Sequence, residues 1–194
     1  MHRFTFALGI LVCCLAVQLS AQEQILTLGL GLSKDMRTGD NMWNPGLQFK
    51  GSFFKKSTER LWYGLNVAYN KWNFDESTYE ASSGYSIDSA EGSLTLIELA
   101  PSLRIPLGQG AVCLRVGAGL FFVSEADVEI RETGRSGWST TTLTSEGGTG
   151  LAFQPGVEVS IGSISIVPLY SVYMLNSEVF NHIAVTAELK LNLK

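Results

Sequence analysis

The sequence predicts an all-β protein, an eight-stranded antiparallel up-and-down transmembrane β-barrel with short periplasmic turns and longer extracellular loops. Eight segments alternate apolar and polar residues with a period of two, as strands do when their two faces meet different surroundings. Three short turns alternate with connections that are mostly much longer, which is the rhythm of such barrels. Only 16% of the 194 residues are charged and the mean hydropathy is +0.16, so the hydrophobic residues are spread thinly over many short segments.

The N-terminal segment differs in character from the rest of the chain. His2 and Arg3 precede an apolar run from Phe4 to Leu19, and small and polar residues follow that run. This is the composition of a secretory signal peptide, so we expect residues 1–21 to be cleaved and residues 22–194 to form the outer-membrane barrel domain. The alternative is a single N-terminal anchor helix, for which the apolar run is short.

The first half of the barrel domain contains four predicted strands. Leucines alternate with small and polar residues in the first, and a brief charged turn at 55–60 separates the second from the third. A stretch rich in Ser, Asp and Glu, residues 75–92, separates the third from the fourth. These four predicted strands are residues 25–33, 46–54, 61–74 and 93–107.

The second half contains four more predicted strands. Residues 108–110 form a tight turn and residues 162–163 a two-residue hairpin turn. The longest loop, 125–149, has apolar residues on both sides of Gly134 that could continue the hairpin beyond the membrane. A short loop at 176–181 precedes the last strand, and no helix of ordinary length is expected. These strands are residues 111–124, 150–161, 164–175 (the one whose faces are mixed) and 183–193.

Charged residues on the strands indicate which face meets lipid. Near the bilayer midplane each exposed Lys or Arg would cost about 2–4 kcal/mol, so these side chains are expected inside the barrel. An eight-stranded barrel has just enough room inside for side chains, so we expect four positive and three negative groups to pair there and plug the lumen. The alternative is a selectivity ring in an open pore. The residues are Lys50, Glu98, Arg104, Arg115, Glu158, Glu188 and Lys190.

Aromatic residues lie mostly toward the ends of the predicted strands. Girdles of aromatic side chains at the two membrane interfaces would explain this placement. The alternative explanation is that aromatic residues simply favour strands. The residues concerned are Trp43, Phe53, Phe54, Trp62, Tyr63, Tyr69, Trp72, Phe121, Phe122 and Tyr173.

The signal peptide, the eight alternating strands and the rhythm of turns and loops resemble the small outer-membrane β-barrel proteins of the OmpA-transmembrane-domain and OmpX kind. Segments such as 63–69 and 115–120 are typical of them, and the resemblance covers essentially residues 22–194. It implies an integral location in the outer membrane, contact with its lipid, and insertion by the barrel-insertion machinery. These proteins usually end in Phe or Trp, whereas this chain ends in Leu193-Lys194.

The sequence offers little chemistry. No nucleotide, zinc or serine-hydrolase motif is present, so we expect no catalytic residue, cofactor or metal. His182, with Ser177 and Glu178 nearby on a loop, could imitate the triad of a lipid A deacylase or acyltransferase, but the spacing matches no such motif.

Without Arg3 the chain has 14 − 1 = 13 basic and 18 acidic residues, which does not favour nucleic acid as a partner.

We therefore expect a non-catalytic integral barrel whose surface loops serve envelope structure or interaction. An extracellular ligand could bind loops 75–92 and 125–149. One alternative is a narrow pore or transporter of small molecules. Another is a soluble periplasmic barrel of the lipocalin type that binds a ligand inside.

Overall fold

The computed structural model describes residues 23–36, 42–84, 86–124, 126–134, 137–145, 147–175 and 178–193. The predicted signal peptide lies outside these ranges, so its cleavage stays a prediction. Within them the secondary structure consists almost wholly of strands. The elements are β1 (Gln24–Asp35), β2 (Gly46–Thr58), β3 (Leu61–Asn73), α1 (Glu76–Ser83), β4 (Ser86–Glu91), β5 (Ser93–Leu107), β6 (Val112–Val123), β7 (Ala126–Gly134), β8 (Gly137–Ser145), β9 (Gly148–Ile161), β10 (Ile164–Leu175) and β11 (Glu178–Leu193).

Eight of these strands form a closed antiparallel barrel in the order β1-β11-β10-β9-β6-β5-β3-β2. The seam that closes it is the pairing of β1 with β11, from Gln24 opposite Leu193 to Asp35 opposite His182. The predicted fold class is therefore confirmed. The barrel strands extend further than predicted at several ends, and β11 starts at Glu178 rather than near Ile183.

The two ends of the barrel differ, as predicted. At one end, here called the turn end, three tight connections join β2 to β3, β5 to β6, and β9 to β10. Gly108, Gly110 and Gly162 have positive φ angles of 58°, 84° and 63° there, a conformation that only glycine adopts without strain. The opposite end, here called the loop end, carries the three longer connections and also the brief one between β10, which ends at Leu175, and β11, which begins at Glu178.

Alternate residues of the barrel strands point in opposite directions. In β10, for example, Ser165, Val167, Leu169, Ser171 and Tyr173 are buried and their neighbours are more exposed, so the predicted phase of this strand is correct. The outer face forms a belt of exposed large hydrophobic residues that includes Leu28, Leu30, Leu47, Phe49, Val67, Ile97, Leu103, Leu120, Leu151, Phe153, Val159, Ile166, Tyr170, Ile183, Val185 and Leu189.

The long connections contain structure of their own, which we call the loop subdomain: α1, β4, β7 and β8. Strands β4, β7 and β8 form a second antiparallel sheet in that order. The hairpin expected around Gly134 is present as β7 and β8. Residues 75–92, predicted as a polar loop, instead contain α1 and β4. In the described part of the chain no helix is long and apolar enough to cross a membrane.

The start and end of α1 are specified locally. The Asp75 side chain accepts a hydrogen bond from the backbone N–H of Thr78 at the N-terminus, and Gly84 ends the helix with a positive φ of 73°. These are the usual residues for a helix N-cap and for the residue just past a helix end.

Candidate functional site

The barrel interior places six of the seven predicted lumen charges in one ion-paired group near the turn end, which we call the charge cluster: Lys50, Arg104, Arg115, Glu158, Glu188 and Lys190. Glu158 joins three of its cations. Its carboxylate lies 2.8 Å from Nε of Arg104 and 2.8 Å from Nε of Arg115, and Lys190 Nζ lies at 3.8 Å. Ser160 and Ser165 also donate to it.

Glu188 joins the other side of the charge cluster. Arg115 donates to both of its oxygens, over 3.0 and 2.7 Å, which is the bidentate geometry that favours guanidinium over ammonium. Lys50 Nζ lies 3.4 Å from the same carboxylate. Arg115 therefore connects both carboxylates, and all of these groups except Lys190 are nearly inaccessible.

Aromatic rings line the charge cluster from the turn end. The guanidinium carbon of Arg104 lies 5.7 Å from the centre of the Trp62 ring, and that of Arg115 lies 5.1 Å from the centre of the Phe54 ring. Both distances are within the range of cation–π attraction. Phe54 and Trp62 pack with Ile25 in a small apolar group.

The structure separates the seventh predicted charge, Glu98, from the charge cluster. Its carboxylate accepts hydrogen bonds from Tyr173 and Gln154 and a longer one from Asn70 at 3.4 Å. Asn70 in turn accepts from Gln48, which accepts from Thr186. With His182 these residues form the hydrogen-bond layer, which lies on the loop-end side of the charge cluster.

His182 belongs to this layer, and the prediction that it lies on a loop is wrong. It lies in β11 and is only 1% exposed. Its Nδ1 is 2.7 Å from the Tyr173 hydroxyl, and its ring meets Trp72 edge to face at 5.5 Å. Of its suggested partners, Ser177 lies outside the described residues and Glu178 is exposed.

A third layer, toward the loop end, is apolar. Its rings, together with Phe54 and Trp62 near the turn end, correct the prediction of aromatic girdles. Six of the ten aromatic residues are buried inside the molecule rather than placed at its outer surface: Trp43, Phe54, Trp62, Trp72, Phe121 and Tyr173. Of the other four, Tyr63 (44% exposed) and Tyr69 (38%) do lie on the outer face, and Phe53 and Phe122 are partly buried.

We call the apolar layer the aromatic core: Trp43, Trp72, Phe74, Leu94, Leu96, Phe121, Val123, Ala152, Tyr173 and Phe180. Its rings are in close contact. Tyr173 stacks on Phe180 with ring centres 4.9 Å apart, and Phe121 meets Tyr173 edge to face at 4.9 Å. Such pairs contribute about 0.5–1.5 kcal/mol beyond the burial of their area.

The loop subdomain packs directly on the aromatic core. Ala126, Val128 and Ile130 of β7 are buried in the same cluster. Tyr79 of α1 also contacts it and donates a hydrogen bond of 2.9 Å to Glu132 of β7. The loop subdomain is therefore packed against the barrel at the loop end.

Sequence reasoning did not single out Asp35, which is buried at the end of β1 opposite His182. A signal existed, because the alternation that places Thr27 and Ser33 inside continues to Asp35.

In the part of the chain that the structure describes, no group of three or more His, Cys, Asp or Glu side chains could hold a metal ion.

Comparisons with known proteins identify the fold. No protein-family model and no curated protein matches the sequence. The crystal structure of Ail, the attachment invasion locus protein of Yersinia pestis, matches with a TM-score of 0.53 and 14% identity, covering 88% of this chain and 99% of that chain. Ail in complex with the heparin analogue sucrose octasulfate gives 0.53 and 13% over the same shares.

A backbone structure of Ail in a phospholipid bilayer nanodisc matches with a TM-score of 0.51 and 11% identity, over 88% of this chain and 100% of that chain. Likeness at this level of identity concerns the fold. The chain has the fold of the small eight-stranded outer-membrane β-barrels.

Proposed function

We propose that this chain is an integral outer-membrane protein with a closed interior and no catalytic activity, whose loop subdomain is an interaction surface at the cell exterior. Its partners at assembly would be outer-membrane lipid and the barrel-insertion machinery, after export directed by residues 1–21. The observation that carries the proposal is the distribution of side chains, with the apolar belt outside and the charges inside.

This distribution favours lipid as the surroundings of the barrel. A soluble barrel of the lipocalin type needs a polar outer face and an apolar cavity, and this chain has the reverse arrangement. Contiguous exposed apolar surface as extensive as this belt is rare on soluble monomers. Cell fractionation tests the location: we expect extraction from outer membranes only with detergent, and recovery in the osmotic-shock fraction would contradict it.

The interior supports a closed lumen rather than a pore. The charge cluster, the hydrogen-bond layer and the aromatic core follow one another along the barrel axis, and the loop subdomain covers the last of them. Planar-bilayer recordings of the purified chain should therefore show no reproducible single-channel steps. Such steps would favour the narrow pore or transporter instead.

The surroundings of His182 argue against a hydrolase. A catalytic base needs access to substrate, whereas this ring is enclosed between Trp72 and Tyr173. We expect the unmodified protein to hydrolyse lipid A or ester substrates no faster than a preparation of the His182→Ala variant does. A signal that this substitution removes would revive the enzymatic interpretation.

The loop subdomain offers a sheet edge to a partner. In its sheet β8 pairs with β7 alone. At the opposite edge Glu80 and Glu76 of α1 accept hydrogen bonds from the backbone N–H groups of Ile87 and Ala90 in β4. The edge at β8 is thus the one on which an extended segment could add a strand.

The charge of the loop subdomain indicates the chemistry of that partner. Among the described residues of 75–92 and 126–145, acidic side chains far outnumber basic ones: Asp75, Glu76, Glu80, Asp88, Glu91, Asp127, Glu129 and Glu132 against Arg131. This surface favours a basic extended peptide. It does not favour a polyanion such as the heparin analogue seen with Ail.

Binding to defined probes distinguishes a basic extended peptide from a polyanion as the partner. The detergent-solubilised protein should bind an extended lysine-rich peptide and should not bind sucrose octasulfate, and binding should weaken as salt is raised. Charge reversal at the exposed positions of β7, Asp127→Lys with Glu129→Lys, should abolish peptide binding. Glu178→Lys, at the barrel rim, is the matched control and should leave it nearly unchanged.

A further inference from the structure

The sheet of the loop subdomain has a pocket of about 290 Å³ on its outward face. Strands β4, β7 and β8 all contribute to it. Ile130 forms its floor and is buried in the same cluster as the aromatic core, whereas the other lining residues are exposed. The pocket is therefore open to solvent and its walls are polar. The lining residues are Ser89, Glu91, Glu129, Ile130, Arg131 and Thr140.

The strand register places two carboxylates directly opposite each other in this pocket. Glu91 of β4 is the ladder partner of Glu129 of β7, and both side chains are exposed. Like charges in such opposed positions are destabilising, because the two side chains project from the same face of the sheet at close range. This face lies away from the aromatic core, so packing does not explain why the two charges are kept together.

Neighbouring charged groups on the same face have partners. The carboxylate of Asp127 accepts a hydrogen bond of 2.9 Å from the hydroxyl of Thr144, and Nε of Arg131 lies 3.5 Å from the carboxylate of Asp88. Among the described residues, none donates a hydrogen bond to either of the two opposed glutamates or forms an ion pair with them. Their repulsion is therefore not offset within this part of the chain.

The pocket matches a primary ammonium group. An ammonium is a compact point charge with three N–H donors. The carboxylates of Glu91 and Glu129 would accept from it on two sides, and the hydroxyls of Ser89 and Thr140 offer neutral acceptors. A cation between the carboxylates would replace their repulsion by two charge-assisted contacts. A planar guanidinium binds best as a fork against one carboxylate and matches this arrangement less well.

Other features of the pocket narrow the choice of cation. Arg131 is paired with Asp88 and does not neutralise the two glutamates. Two carboxylates are too few for a metal ion such as Ca²⁺, which takes about six to eight oxygen ligands, and the described residues contain no group of three or more that could hold a metal. An organic cation remains the better match.

We propose that this pocket binds the ammonium group of a lysine side chain of the extended basic partner, in contact with Glu91 and Glu129. This role rests on the proposed interaction surface and names the side chain that the surface recognises. A strand added at the edge of β8 would project alternate side chains from the same outward face. The exposed side chains of β8 next to the pocket, Thr140 and Thr142, are small, so a long lysine side chain can cross them to reach Glu129.

The side-chain analogue n-butylammonium tests the pocket directly. NMR spectra of the isotope-labelled full chain in a non-ionic detergent should show saturable shifts of the backbone amides of residues 89–91 and 129–131. n-Butanol has the same carbon chain without the charge and should produce no saturable shift there. Absence of saturable shifts with n-butylammonium, or equal shifts with n-butanol, would overturn the proposal.

Neutralising the carboxylates should weaken this binding. Glu91→Gln and Glu129→Gln should each lower the affinity for n-butylammonium about tenfold, since each removes one charge-assisted contact. Glu178→Gln, at the barrel rim, is the matched control and should retain it. Because either substitution also relieves the repulsion, amide exchange in β4 and β7 should be equal or slower. Loss of binding together with faster exchange would assign the carboxylates a structural role and overturn the proposal.

Peptide selectivity separates this site from the interaction surface as a whole. A lysine-rich extended peptide should bind more tightly than an arginine-rich peptide of the same length and charge, and Glu91→Gln should remove the preference. Peptide binding without a preference for lysine would leave the interaction surface standing and overturn the lysine site. Binding of n-butylammonium without binding of either peptide would contradict the interaction surface and leave the ammonium site in place.

Discussion

Arg115 and Glu188 join opposite sides of the barrel through two hydrogen bonds of 3.0 and 2.7 Å. They lie on β6 and β11, which are not neighbours in the barrel. The pair therefore ties together two strands that no backbone ladder connects. Because Arg115 also contacts Glu158, a change at this point reaches the whole charge cluster.

Substitution of Glu188 by Gln should be strongly destabilising. It keeps the size of the side chain but leaves Arg115 and Lys50 with less compensation in a buried place, which typically costs about 3–5 kcal/mol. The measurement is the free energy of unfolding in urea for protein folded into lipid vesicles. Glu178→Gln, at an exposed position of the same strand, should change it by less than about 0.5 kcal/mol, and equal costs for the two variants would argue against a buried ion pair.

A charge on the outer belt should be costly in lipid. Leu30 is near the middle of β1 and 53% exposed, so Leu30→Arg should reduce the free energy of unfolding in vesicles by about 2–4 kcal/mol. Thr142→Arg, on the exposed face of β8, introduces the same side chain outside the barrel and should have little effect. Equal tolerance at both positions would undo the assignment of the outer face to lipid.

Truncation in the aromatic core should open a cavity. Phe121 is fully buried against Tyr173 and Phe180, so Phe121→Ala should cost about 3–5 kcal/mol. Phe121→Leu keeps most of the volume and should cost clearly less. A similar cost for both, measured by urea unfolding, would mean that the position is not tightly packed.

Loss of the Asp75 cap should loosen α1. The Asp75 carboxylate accepts hydrogen bonds from the hydroxyls of Ser77 and Thr78 and from the backbone N–H of Thr78. Asp75→Ala should destabilise the helix by about 1 kcal/mol. Faster amide exchange in residues 76–83 would show this.

The stabilisation of α1 by the Asp75 cap should depend on pH. The hydrogen bonds from Ser77 and then Thr78 lower the pKa of the Asp75 carboxyl below its ordinary value of 3.8. A lowered pKa in the folded state means that the stabilisation is complete above the ordinary value and is lost as the pH falls through the folded-state pKa. Asp75→Asn keeps a capping side chain without a charge, so its amide exchange in α1 should lack this acid-dependent step.

Alternation predicted the barrel well because each strand separates two kinds of surroundings. The same alternation placed the buried rings: Trp62, Phe121 and Tyr173 fall on the inward-facing sides of their strands. The girdle interpretation used position along the strand and disregarded the face. A Trp at a strand end can point inside or outside the barrel, and only its position in the alternation of the strand distinguishes the two.

The loop subdomain could not be predicted in the same way. Strand β4 is short and polar, and its pairing with β7 joins segments about 40 residues apart in sequence, so local pattern does not reveal it. His182 was misplaced for a related reason. The polar residues that open β11 are typical of a loop, and their strand conformation comes from pairing with β10 and β1.

The seam between β1 and β11 bears on how the molecule is made. Strand β1 finds its second neighbour only in β11, so the cylinder cannot shut until β11 has been synthesised. Until then one hydrogen-bonding edge of β1 is left open to any extended chain it meets. We expect this open edge to promote aggregation before closure, so deletion of β11 should yield aggregates instead of a smaller barrel.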